Sequence, residues 1–128
     1  MNIGQAAQAS GVSAKMIRHY EEIGMLPKAS RTPAGYRVYS EGDVHTLRFV
    51  RHARDLGFSM KEIGELLNLW QNRRRASSSV KRLAEAHMAE LDERIRQLAA
   101  MKDTLATLVR HCHGDQRPEC PILEKLAS

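Results

Sequence analysis

Residues 11–24 read Gly11-Val-Ser-Ala-Lys-Met-Ile-Arg-His-Tyr20-Glu-Glu-Ile-Gly24. Ser13 is a good N-cap, and Gly24 is a good stop. Between them Met16, Ile17 and Tyr20 fall on one face of a helix, and Lys15, Arg18 and His19 on the other. The preceding segment, with Ile3, Ala6 and Ala7, reads as a shorter helix ending near Gly11. Two short helices joined by Gly11-Val12-Ser13 have helix-turn-helix dimensions. In that motif the second helix enters the major groove of DNA, which gives the basic face a purpose. Its alternative is a solvated basic surface.

Moving outward, Arg31-Thr-Pro-Ala-Gly35-Tyr-Arg-Val-Tyr39 combines turn formers with β-leaning residues. It predicts a short hairpin, a wing beside the two helices. Ser40 with Asp43 and Ser59 with Glu62 have the spacing of capping boxes. They open a helix through Val44, Leu47 and Val50 to about Leu56, and a fourth with Ile63, Leu66, Leu67 and Trp70 on its buried side. Residues 71–75, Gln-Asn-Arg-Arg-Arg, are a polar break; this basic link reads as solvated rather than as a DNA contact.

Residues 77–110 contain neither Gly nor Pro. Val80, Leu83, His87, Leu91, Ile95, Leu98, Met101, Leu105 and Leu108 recur at a mean of about 3.5 residues, the coiled-coil period. Such a helix is about 50 Å long at roughly 1.5 Å per residue. A partner helix is needed to cover that stripe, and a second copy of the chain is the simplest source. The spacing leaves parallel and antiparallel pairing open. His87, on the stripe, reads as a core or interface residue.

Charge divides the chain in the same place. Residues 1–75 hold 12 Lys/Arg against 7 Asp/Glu; residues 76–128 hold 8 of each. The whole excess of +5 lies in the first half, as for a nucleic-acid-binding half joined to a neutral one. No run of 18 apolar residues exists to span a membrane, and the N-terminus lacks the pattern of a secretory signal. A cytoplasmic location is expected. No catalytic Ser/His/Asp set, phosphate loop or carboxylate pair stands out, so an enzyme is not expected.

The last segment, His111-Cys-His-Gly-Asp-Gln-Arg-Pro-Glu-Cys-Pro121, is a loop by composition, followed by a short helix with Ile122, Leu123 and Leu126. Both cysteines of the chain, Cys112 and Cys120, lie in it. A structural disulfide is disfavoured in a cytosolic protein. Two thiolates suit a soft monovalent d¹⁰ ion, Cu(I), Ag(I) or Au(I). Zinc needs four ligands, which His111, His113, Asp115 or Glu119 would complete. A redox pair, or two inert thiols, are the other readings of the spacing. A metal buffer with an incidental basic half is the reading from another functional class.

These runs together resemble the MerR family of transcription regulators: Met1-Asn-Ile-Gly with Ala6 and Ala7, residues 11–24, Gly35-Tyr-Arg-Val-Tyr39, Arg54-Asp-Leu-Gly-Phe58-Ser, and Cys112-x₇-Cys120-Pro-Ile. The last run resembles the regulators of copper efflux and their silver- and gold-responsive relatives. The resemblance implies a mainly α protein. It would have a winged helix-turn-helix domain over residues 1–75, an antiparallel coiled-coil dimerisation helix over 76–110, and a metal-binding loop with a terminal helix over 111–128. It implies a homodimer on a palindromic promoter site, and activation by distorting that DNA so that RNA polymerase engages both promoter elements. By the same resemblance Lys15, Arg18, Tyr20, Arg31, Tyr36, Arg37 and Arg54 touch DNA. Cys112 and Cys120 hold one Cu(I), Ag(I) or Au(I) per chain. Ser77 stands where divalent-ion relatives carry a third cysteine, and so marks selectivity for a monovalent ion; it is also a plausible N-cap. A divalent, zinc-type sensor or a thiol redox switch on the same scaffold is the alternative.

Overall fold

The structure, a computed structural model, describes residues 1–72 and 74–128. Arg73, in the basic link, lies outside the described residues. Among the described residues six helices and one two-stranded hairpin follow each other: α1 (Ile3–Ser10), α2 (Ala14–Glu22), β1 (Ser30–Arg31), β2 (Arg37–Val38), α3 (Glu41–Asp55), α4 (Met60–Gln71), α5 (Ser77–His111) and α6 (Pro121–Ala127). They form two compact units, Met1–Ala76 and Ser77–Ser128.

In the first unit every α-helix starts on a side-chain cap. Asn2, Ser13, Ser40 and Ser59 each accept from a backbone N–H in the first turn of the helix that follows. Around Asn2, Ser40 and Ser59 the cap is reciprocal, with Gln5, Asp43 and Glu62 returning the hydrogen bond. Gly11 ends α1 in the left-handed region at φ 76°, with its N–H on Ala7 O at 2.9 Å. A Cβ there costs about 1 kcal/mol. That glycine turns the chain at once into α2.

The apolar faces close one core. Ala6 from α1, Val12 from the turn after it, Ile17 and Tyr20 from α2, Val44, Leu47 and Val50 from α3, and Ile63 and Leu67 from α4 are all buried together. Leu26 and Tyr39 join them from the connecting segments. Burying one such aliphatic side chain stabilises by about 1.5–3 kcal/mol. Phe49 of α3 stacks on Trp70 of α4, with centroids 4.5 Å apart and planes 8° apart, and fixes the α3–α4 angle.

The hairpin is minimal. Ser30 pairs with Val38 and Arg31 with Arg37. Its turn is closed by Thr32 N–H on Tyr36 O (2.8 Å), Gly35 N–H on Thr32 O (2.8 Å) and Arg31 Nη1 on Gly35 O (2.9 Å). Tyr39, just beyond β2, exchanges two backbone hydrogen bonds with Met1, at 2.7 and 2.8 Å.

In the second unit, α5 is continuous over 35 residues. Ile95, Leu98, Met101 and Leu105 of its heptad stripe are exposed. α6 packs back on α5, with Leu123 and Leu126 exposed. The loop between them opens where Cys112 N–H bonds to Val109 O (3.1 Å) and closes where Glu124 N–H bonds to Cys120 O (3.0 Å). Asp115 shapes its middle by accepting from the backbone N–H (2.9 Å) and Nε (2.7 Å) of Arg117.

Candidate nucleic-acid interface and metal centre

α2 carries its cations outward because its apolar residues are used inward. Ile17 and Tyr20 are buried, and Lys15 and Arg18 on the opposite face are exposed. Arg31, Tyr36 and Arg54 are exposed as well, while Arg37 is half-buried. Arg18, Lys28, Arg31 and Arg37 line one cleft of about 330 Å³ between α2 and the hairpin, together with Glu21 and Glu22. A second cleft of the same volume brings Arg51 and Arg54 of α3 to the start of α2 at Ser13. Backbone N–H groups at a helix start and guanidinium groups are both phosphate donors.

Two tyrosines near this face act from inside the fold, Tyr20 on the apolar side of α2 as its helical spacing placed it. Tyr20 is buried, and its hydroxyl accepts from Arg54 Nη1 at 3.1 Å. It meets solvent through Arg54, not directly. Tyr39, read as part of the wing, is buried too. Its hydroxyl donates to Glu21 Oε1, and Arg37 Nε lies 3.6 Å from Glu21 Oε2. Burial, and then the hydrogen bond and negative charge of Glu21, push the Tyr39 phenol up to about 12. Glu21 was missed by sequence reasoning. Its only signal was a place one turn beyond Arg18 on α2, an odd position for an acid on a basic face.

The cysteine loop is the other site. Both thiols are free and half-buried. Cys120, at the start of α6, makes no side-chain cap hydrogen bond, but the backbone N–H groups of Leu123 and Ile122 and the thiol of Cys112 lie beside its sulfur. The Leu123 N–H first, and then that of Ile122 and the Cys112 thiol, pull its thiol below the ordinary range, while burial and the charge of Glu124 act the other way. The two thiols are therefore neighbours, and the surroundings of Cys120 favour its charged form. His111, His113 and Glu119 are exposed around them, and Asp115 is engaged by Arg117. Ser77 is the first residue of α5, at the opposite end of that helix from Cys112.

Comparison with known proteins matches residues 1–70 to the MerR HTH family regulatory protein model and residues 44–108 to the model described as MerR, DNA binding. The chain belongs to the MerR family. It is therefore a helix-turn-helix regulator and not an enzyme. Among MerR relatives it is 58% identical to heavy metal-dependent transcription regulator 2 of Rhizobium meliloti, over 100% of this chain and 87% of that protein. It is 39% identical to the regulator CueR of Salmonella typhimurium, over 99% and 92% of the two chains. Among solved MerR structures, that of PbrR691 from Ralstonia metallidurans in complex with lead(II) matches with a TM-score of 0.83 at 31% identity, covering 98% of both chains. The helical architecture, with a helix-turn-helix unit followed by a long helix, is thus the family's. No helix among the described residues is long and apolar enough to cross a membrane.

Proposed function

We propose that this MerR-family chain is a cytoplasmic, metal-responsive transcription activator that senses a monovalent thiophilic ion through Cys112 and Cys120. The observation that carries the reading is the pair of neighbouring, half-buried free thiols flanking the loop between α5 and α6. Two converging thiolates fit Cu(I), Ag(I) or Au(I), one per chain, because such ions accept two soft ligands. When bound, the ion would tie the end of α5 to the start of α6. The chain's own contribution is to bring the sulfurs together and to favour the thiolate at Cys120.

The exposed stripe Ile95, Leu98, Met101 and Leu105 supports a homodimer through α5. The family resemblance, which sets position 77 beside a cysteine loop, implies an antiparallel one. Ser77 stands about 50 Å along α5 from its own Cys112 at ~1.5 Å per residue. Only the Ser77 of a partner running the opposite way would approach the cysteine loop. A serine there adds no third thiolate, which suits a monocation better than a dication. Residues 1–75 would be the DNA-reading part, 76–110 the dimerisation helix and 111–128 the sensing part.

A twofold dimer reads a palindromic site. Lys15, Arg18, Tyr36, Arg37 and Arg31 would contact promoter DNA from α2 and the wing, and Arg54, braced by Tyr20, from α3. Activation would follow from distortion of the promoter, with ion binding biasing a two-state protein so that RNA polymerase engages both promoter elements. A divalent sensor is the second reading, because PbrR691 was crystallised with lead(II). Replacing Cys112 by Ser tests the division of labour. Metal-dependent transcription from the target promoter should vanish while DNA binding persists; loss of both contradicts the separation of reading and sensing.

A further inference from the structure

Glu21 places a carboxylate on the face where this protein meets a polyanion. A charge there repels phosphate, and its side chain is only 8% exposed, so it also carries a desolvation cost. Its two oxygens are spent on two residues of one neighbouring segment. Oε1 accepts from the buried Tyr39 hydroxyl, and Oε2 faces Arg37 Nε at 3.6 Å. That Nε is buried and makes no hydrogen bond, so charge alone holds it. Arg37 and Tyr39 flank Val38 at the end of the hairpin, and Glu21 is in the last turn of α2.

The hairpin needs an outside anchor. Its strands are two residues each, and neither strand has a buried residue. A two-stranded ribbon of this kind is marginal in water. Both side-chain links from the wing to α2 described above end on Glu21. Arg18 lies one turn before Glu21 on α2, and Arg18 and Arg37 line the same cleft.

We propose that Glu21 is the positioning residue of the DNA-reading face, holding Arg37 and the wing at a fixed distance from Arg18 on α2. This rests on the reading that α2 and the wing contact DNA. The carboxylate does not touch DNA. It gives up some general attraction to phosphate and in return presents the two arginines in one geometry, and so favours the correct site over others.

The sign of one substitution separates this role from a plain surface charge. An operator is first selected from a pool of random duplexes with the wild-type protein. Affinity for that duplex and for a scrambled one is then measured against salt for wild type, Glu21→Gln and Tyr39→Phe. Glu21→Gln should bind the operator about tenfold more weakly, with the salt slope shallower by about one and no loss on the scrambled duplex. Tyr39→Phe should lose operator affinity in the same direction although no charge has changed. If Glu21 merely repels phosphate, Glu21→Gln binds both duplexes more tightly, and the proposal is overturned. An equal loss on both duplexes also overturns it, since that reports less folded protein. If the wild type enriches no duplex at all, the DNA-reading assignment fails first and takes this role with it.

Discussion

The hydroxyl of Tyr20 accepts a 3.1 Å hydrogen bond from Arg54 Nη1, so a buried residue of α2 steers an exposed cation of α3. The tyrosine ring belongs to the core, and its oxygen reaches the surface only through Arg54. Removing that oxygen should therefore separate stability from DNA affinity. Tyr20→Phe keeps the ring and should cost the fold only about 1 kcal/mol. DNA affinity should fall several-fold because Arg54 loses its brace. Thermal melting and DNA titration of the same variant check both halves.

Leu47 of α3 is fully buried among residues from α1, α2 and α4. Leu47→Ala should destabilise the first unit by about 2–5 kcal/mol, through lost transfer energy and the cavity left behind. Denaturant unfolding measures it. A loss below 1 kcal/mol would mean that the four helices do not share one core.

Tyr39 gives a pH signature. Its phenol is pushed up to about 12, by burial first and then by Glu21. A raised value means that folding favours the neutral phenol. The corresponding stability is complete below pH 10, the ordinary tyrosine value, and is lost as pH rises through 12. Ultraviolet titration should show a tyrosinate step near pH 12 that disappears in Tyr39→Phe. Its persistence in that variant would assign the step elsewhere.

Leu98 lies in the middle of the exposed stripe of α5. A charge there would stand in an otherwise apolar seam between two helices. Leu98→Glu should convert a dimer to a monomer in sedimentation at micromolar concentration and leave the first unit folded. An unchanged mass would mean that this stripe is not the dimer contact.

Much of this architecture could be read from local chemistry. Ser40 with Asp43 and Ser59 with Glu62 formed the capping boxes their spacing implied, and Ser13 capped α2. These interactions span three residues, so sequence distance and spatial distance coincide. The Asn2–Gln5 box has the same form and went unread because α1 is short and weakly patterned. α5 runs three residues past Leu108, the last of its apolar pattern, to His111, and Gln71 belongs to α4 and not to the link, since backbone hydrogen bonds outlast side-chain periodicity. What could not be read was tertiary. Tyr39 carries β-leaning, surface-compatible chemistry, and its burial depends on α2 and Met1 closing over it. Glu21 matters only because residues 16 and 18 positions away fold against it. The proximity of Cys112 and Cys120 was suggested by spacing. The backbone N–H groups that lower the Cys120 thiol are near it because α6 starts there.

The central claim is that the two thiols hold one monovalent ion per chain. Its most direct test is an anaerobic titration of the reduced protein with Cu(I) against a strong Cu(I) chelator, repeated with Zn(II) and with Cys120→Ser. The account predicts one tightly held Cu(I) per chain, lost in the variant, and weak zinc binding. Tight zinc with weak Cu(I) would contradict it, and would mean that histidine or carboxylate ligands complete a divalent site despite the serine at position 77.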